Sequence, residues 1–241
     1  MKDEIRTMKK IIKNGIVVTM NAAGDVWDHG YVMFEDTKIL AAGPEEELGK
    51  ALQELTAQGI LKAGETFEEI DAKRAIVIPG LVNTHCHLGM IPFRGLGDDC
   101  KDRLRVFLLP MENQAMDAEM ARLSTRYAIG ELLLSGVTTV LDMYYFEEVV
   151  AKVMDEGYEG AEILGIHFEG PYLDMVYKGA QPEQYIVKPT IEQFKHYQEA
   201  AKGHIKYITM ATETDEDFAL TRYLTENGVV VSIGHSAATY E

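Results

Sequence analysis

The 241-residue chain is 46% hydrophobic, enough for one well-buried core or for a core plus a small appended domain, and too apolar for a disordered protein. Its 23 basic and 39 acidic residues give a net charge of -16, with the acids spread along the whole chain. That balance excludes nucleic acid as the main partner, because phosphate neutralisation needs a basic surface.

Cys86 and Cys100 make neither a disulfide framework nor a CxxC metal site, so a reducing cytoplasm is the expected compartment. No signal peptide is expected at the start of the chain. No stretch approaches the roughly 18 apolar residues of a membrane span, so no membrane association is expected.

Residues 10–43 read as short strands, with valine and isoleucine runs broken at Asn14-Gly15 and around Asp25. Residues 45–63 read as a surface helix or lid, followed by a short strand over 67–71. This compact β segment, residues 1–76, is small for an independent core and is expected to pack on the rest of the chain.

From Ala75 the pattern changes. IVIPGLVNTH (76–85) is a nearly unbroken apolar run ending in polar residues, as expected for a strand buried on both faces with a functional carboxyl end. Further strands are expected at 137–145, 162–170, 205–211 and 228–236, with helices at 115–135, 146–157, 191–202 and 215–227. Five buried strands alternating with helices predict a parallel α/β protein over residues 77–241.

Histidine, acidic and glycine residues recur at the same ends of these strands, where barrel active sites sit. A doubly wound sheet would carry a glycine-rich nucleotide loop after its first strand; here that strand ends in histidines. The expectation is therefore a partial (β/α)8 barrel of about five strands. A closed barrel takes eight, so the open edge is expected to be completed by further strands or covered by another chain, for instance in a homo-oligomer.

Three strand ends carry the candidate chemistry. His85 and His87 lie two apart in an extended segment, so both imidazoles can face one ion; HxH alone also fits capping or surface histidines. Glu169, in His167-Phe168-Glu169-Gly170-Pro171, ends the third strand, where a carboxylate is costly unless paired or ligating. His167 shares its side by the period of two, as ligand or as partner to a ligand.

His235 follows an apolar run, beside a glycine that permits close backbone approach. Together these nitrogens and oxygens form a donor set that a divalent metal accepts, zinc above all, with iron and manganese also suited. Asp142 and Glu213 are weaker candidates that would orient ligands or face solvent. The 172–185 loop is polar and aromatic, and its Lys178, Gly179, Ala180 and Gln181 would hold an anionic or sugar-like small molecule or simply be solvated.

At these residues the sequence resembles the amidohydrolase superfamily in two ways. VIPGLVNTHCHLGMIPFRGLGDD, the Phe107 to Glu112 stretch and SGVTTVLDMYY look like the aminohydrolase branch that includes adenosine and S-adenosylhomocysteine deaminases and chlorohydrolases. HFEGP, GAQP and GHSAATYE look like N-acetylglucosamine-6-phosphate deacetylase.

The second resemblance implies that Glu169 and His235 bind a catalytic metal and that the loop around Gly179-Ala180-Gln181 contacts substrate. The first implies a ligand pair at His85 and His87, and both imply that residues 1–76 begin a small β-sandwich. A metal histidine and a general-base aspartate belong to later strands in such families, so no catalytic residue is expected within this chain.

The implied activity is metal-dependent hydrolysis of a carbon–nitrogen bond, with deacetylation of N-acetylglucosamine 6-phosphate or a related amino sugar first. Deamination of a purine nucleoside-like substrate is the alternative. A catalytically incomplete metal-binding fragment or subunit, from a truncated or hybrid chain, is a third reading.

Overall fold

In the computed structural model, which describes residues 9–240, the chain divides into two compact units at Pro79/Gly80. The first unit holds β1 (Lys9–Val18), β2 (Val26–Glu35), β3 (Lys38–Pro44), α1 (Leu48–Ala57), β4 (Glu68–Asp71) and β5 (Ile76–Val77). Its sheet runs β3-β2-β1-β4, with β5 also on β1; the β1–β2 and β2–β3 pairs are antiparallel, while β4 and β5 lie parallel to β1.

Alternation along the strands turns Ile11, Tyr31 and Met33 onto a small core closed by Leu55 of α1 and Leu61. Lys9, nearly buried, is held there by Glu65 at 3.0 Å.

The second unit is a β/α repeat. It runs β6 (Leu81–Cys86), α2 (Leu109–Ala115), α3 (Ala118–Leu134), β7 (Val137–Asp142), α4 (Glu147–Glu156), β8 (Glu162–Glu169), α5 (Ile191–Ala200), β9 (Ile205–Met210), α6 (Ala219–Glu226) and β10 (Val230–Ile233). All five strands are parallel and stand in sequence order, β6 to β10. A doubly wound sheet must reverse its strand order at a switch point. This sheet has no reversal and curls into half a barrel.

Ile129, Val140, Ile163, Ile166, Ile205 and Ile208 form the centre of its core, between the sheet and the helices. Ile208 is fully buried, so Ile208→Ala is expected to cost about 2–5 kcal/mol. A denaturant midpoint that does not move would show that this layer is not the core.

Local sequence explains the boundaries. The helix expected over 115–135 is α3, which starts at Ala118 after a break from α2, because Asp117 leaves helical geometry and its side chain accepts from the Met120 N–H at 2.8 Å, capping α3. At the other end Gly136 takes φ +89°, a conformation that stops the helix and turns the chain into β7.

One expectation is corrected by the strand environment. The run 76–85 is two strands rather than one: Ile76 and Val77 pair with Ile16 and Val17 of β1, and β6 begins only after Pro79-Gly80. Nor is β6 buried on both faces, since among the described residues it pairs with β7 alone and leaves Leu81 and Val82 exposed. An apolar run reports what a segment can bury; how many neighbours it acquires is settled by its place in the sheet.

Among the described residues, no helix is long and apolar enough to cross a membrane.

Candidate metal centre

The strands β6, β8 and β10 of the half-barrel deliver their candidate side chains at their carboxyl ends. His85 is the penultimate residue of β6, His167 and Glu169 lie within the last three positions of β8, and His235 stands just past β10. Ligand atoms of His85, His167 and Glu169 lie within 4.8 Å of one another. The two imidazoles face each other with Nδ1 to Nδ1 at 3.3 Å, and Nε2 of His167 lies 2.7 Å from Thr209 Oγ1 on β9. Burial, reinforced by His85 nearby, pushes the His167 pKa down to about 4, so the ring is neutral and keeps a lone pair at pH 7.

His235 approaches the same carboxylate from the other side, with Nε2 at 3.1 Å from Glu169 Oε1. Its Nδ1 lies 2.8 Å from the Tyr177 carbonyl. A carbonyl can only accept, so the proton sits on Nδ1; in the neutral ring the Nε2 lone pair then faces the carboxylate. His87 shows the same device, with Nδ1 2.7 Å from the Met143 carbonyl, which leaves its Nε2 as the donor atom.

Fixing one ring nitrogen on a backbone carbonyl is how metal-binding imidazoles are oriented. Lone pairs turned on a carboxylate suit a cation between them, so this donor set fits a divalent ion.

The backbone around His235 is strained to reach this position. His235 has φ +52°, a left-handed conformation that costs about 1–3 kcal/mol for a non-glycine residue. The Asp174 N–H holds its carbonyl at 2.9 Å, and beside it a Cβ on Gly234 would stand 2.5 Å from Thr209 Cγ2. Only glycine lets β10 end this close to β9.

A cavity of about 190 Å3 joins these residues: His85, His87, Glu169 and His235 line it together with Lys178, Ala180 and Gln181 from the 172–185 loop. Gly179 packs against the His235 ring, where an added Cβ would lie 3.3 Å from Cε1. The structure thus brings His85, His167 and Glu169 into one cluster, with His235 Nε2 facing Glu169 Oε1. The His87 ring stands 5.0 Å from that of His85, centroid to centroid.

The two weaker candidates are structural supports. Asp142 is buried and accepts from the Leu88 N–H at 2.8 Å, fixing the turn after His87. Glu213 accepts from Ser236 Oγ at 2.7 Å and from the Ala237 N–H at 2.6 Å, fixing the chain after His235.

Sequence reasoning assigned no role to Glu112, which lines the same cavity while only 3% exposed. The Tyr144 hydroxyl donates to its Oε1, its Oε2 has no partner among the described residues, and burial raises its pKa. The available signal was a lone acid closing the apolar run VFLLPM.

Parallel strands carrying a histidine–carboxylate cluster at their carboxyl ends define the class: a β/α-barrel protein with a candidate metal centre on its loop-bearing face. The chain belongs to the amidohydrolase family, whose profile matches residues 76–222. It is 27% identical over 228 residues to N-acetylglucosamine-6-phosphate deacetylase of Bacillus subtilis, covering 95% of this chain and 50% of that one. It is 35% identical over 159 residues to 5-methylthioadenosine/S-adenosylhomocysteine deaminase of Symbiobacterium thermophilum, covering 65% of this chain and 33% of the relative.

Among solved structures, N-acetylglucosamine-6-phosphate deacetylase from Pasteurella multocida superposes with a TM-score of 0.61 at 24% identity, over 97% of this chain and 52% of that chain. That likeness is one of fold. The chain spans half or less of the length of these curated relatives.

Proposed function

We propose that this chain supplies the metal-holding part of a hydrolase that cleaves carbon–nitrogen bonds, and that its reaction is removal of an acetyl group from an N-acetyl amino sugar such as N-acetylglucosamine 6-phosphate. The observation that carries this reading is the joining of Glu169 and His235 at 3.1 Å in a cavity that Lys178, Ala180 and Gln181 also line. An ion-binding pair and a cationic, amide-rich loop face the same space.

Glu169, His235, His85 and His167 are the residues that would hold the ion, zinc by their mixed nitrogen and oxygen chemistry, with His87 completing or extending the site. The bound ion would acidify a water and polarise the acetamide carbonyl. The protein's own residues bind and orient: the Lys178 ammonium, now on the Gln181 carbonyl at 3.2 Å, is the cation available to a sugar phosphate. Thr209 fixes the His167 ring, and Glu213 fixes the chain that carries His235.

Deamination is the second reading, favoured by a specific observation: the His85/His87 pair and the buried, unpartnered Glu112 oxygen line the same cavity. Such an oxygen suits a hydroxyl or amino donor of a nucleoside-like substrate.

Assays with zinc-loaded protein separate the two. Acetate released from N-acetylglucosamine 6-phosphate supports the first, and ammonia released from an adenosine derivative supports the second. Neither product above a metal-free control would leave a metal-binding chain without turnover.

A further inference from the structure

We propose that the second unit carries an adjoining chamber for a cationic, ring-bearing group of an incoming molecule, beside the candidate metal centre. This rests on the metal-centre reading only for the orientation of the guest, not for its binding. The chamber has a volume of about 460 Å3, within the roughly 300–1,000 Å3 of small-molecule sites. It is lined by residues 109–197 of the second unit alone, and it shares Leu109, Glu112, Tyr145, Glu169 and Gln181 with the smaller cavity.

Its walls are aromatic. Tyr145, Phe146, Phe168, Tyr185 and Tyr197 come from the ends of β7 and β8, the 172–185 loop and α5. The Phe168 and Tyr197 rings pack at 5.0 Å, while Tyr145 and Tyr185 are 49% and 65% exposed. Tyr145 packs tilted on Tyr144 at 5.8 Å; exposed rings beside a hollow are within reach of a guest, and a cation over such a face gains about 0.5–2 kcal/mol.

The ionisable acid and base groups of the chamber are all acidic, beside the neutral amides of Asn113 and Gln181. Glu147, Glu112 and Glu169 line it, and among the described residues no lysine, arginine or histidine does. Burial raises the Glu147 pKa to about 7 against its own backbone N–H bond, with the charges of Glu148 and Asp142 pushing the same way as burial. Glu112, 3% exposed, has an Oε2 that finds no partner among the described residues.

A protonated amine with an attached ring satisfies both features at once: the ammonium takes the carboxylates and the ring takes the aromatic walls. A phosphate or carboxylate is repelled, so an anionic group would be sorted to the Lys178 side of the site instead.

Benzylamine, benzyl alcohol and benzoate share one ring and differ in charge, which makes them the probes. Their binding to the metal-free chain at pH 8, followed by ligand-observed NMR titration, reports the chamber without any turnover, so failed hydrolysis leaves this test intact. Benzylamine is expected to bind roughly tenfold tighter than benzyl alcohol, with benzoate weakest.

Glu147→Gln should remove most of the preference for the cation and leave the alcohol unchanged. Tyr185→Ala, at an exposed position that the fold does not need, should weaken both. Equal binding of the three probes, no binding at all, or indifference to both variants would each overturn the proposal.

Discussion

Replacing Glu169 by alanine is expected to weaken divalent metal binding by at least about 100-fold, because the carboxylate is the atom group that His85, His167 and His235 all approach. His167→Ala and His235→Ala should each do the same on their side of the cluster. Elemental analysis after dialysis against a metal buffer reads the stoichiometry directly. Thr209→Val, which touches no ion and removes only the 2.7 Å contact to His167 Nε2, should cost about 10–100-fold.

His87→Ala then decides whether that ring shares the first ion or holds another: a loss as large as that of Glu169→Ala puts it in the same site. Metal content unchanged in both Glu169→Ala and His235→Ala would sink the assignment.

The second large effect is a pH-dependent stability centred on Asp142. This carboxyl is fully enclosed at the end of β7, and burial carries its pKa from 3.8 to about 7 against the opposing N–H bonds of Leu88 and Met143. The folded chain therefore holds the Asp142 proton through a pH range in which the unfolded chain has lost it. Stability from this group is full below about pH 4 and is lost as the pH rises to about 7. A displacement of that size corresponds to roughly 4 kcal/mol at most.

His167 has the opposite sign: its folded pKa lies below its unfolded one, so it favours the fold as the pH rises from about 4 to 6.5. The difference between wild type and Asp142→Asn isolates Asp142. Asparagine keeps the acceptor for Leu88, so the variant should match wild type near pH 4 and exceed it by a few kcal/mol at about pH 8. A constant offset across pH, measured by urea denaturation, would contradict this origin.

The elements legible in the sequence are those whose cause is local. The helices α4, α5 and α6 follow from apolar spacing, α4 also from the stop at Gly157, and β7 to β9 from short apolar runs with flanking glycine or acid. The region 88–108 has neither period, and it folds as a short 3-10 turn and a π-helical segment. His85, Glu169 and His235 were legible because a strand end after an apolar run is a place where a polar side chain needs a reason to be.

By itself, the sequence determined that this is a parallel β/α protein with histidines and a carboxylate at the ends of its strands, since period, run length and residue type are properties of the chain alone. Only the tertiary structure decided which of those residues meet. His85 and His167 are separated by 82 positions yet stand 3.3 Å apart, and Glu112 comes from a segment with no periodic signature to face the same cavity. Such proximity depends on strand order, register and the curl of the sheet, which arise from packing between elements and leave no mark on any one of them.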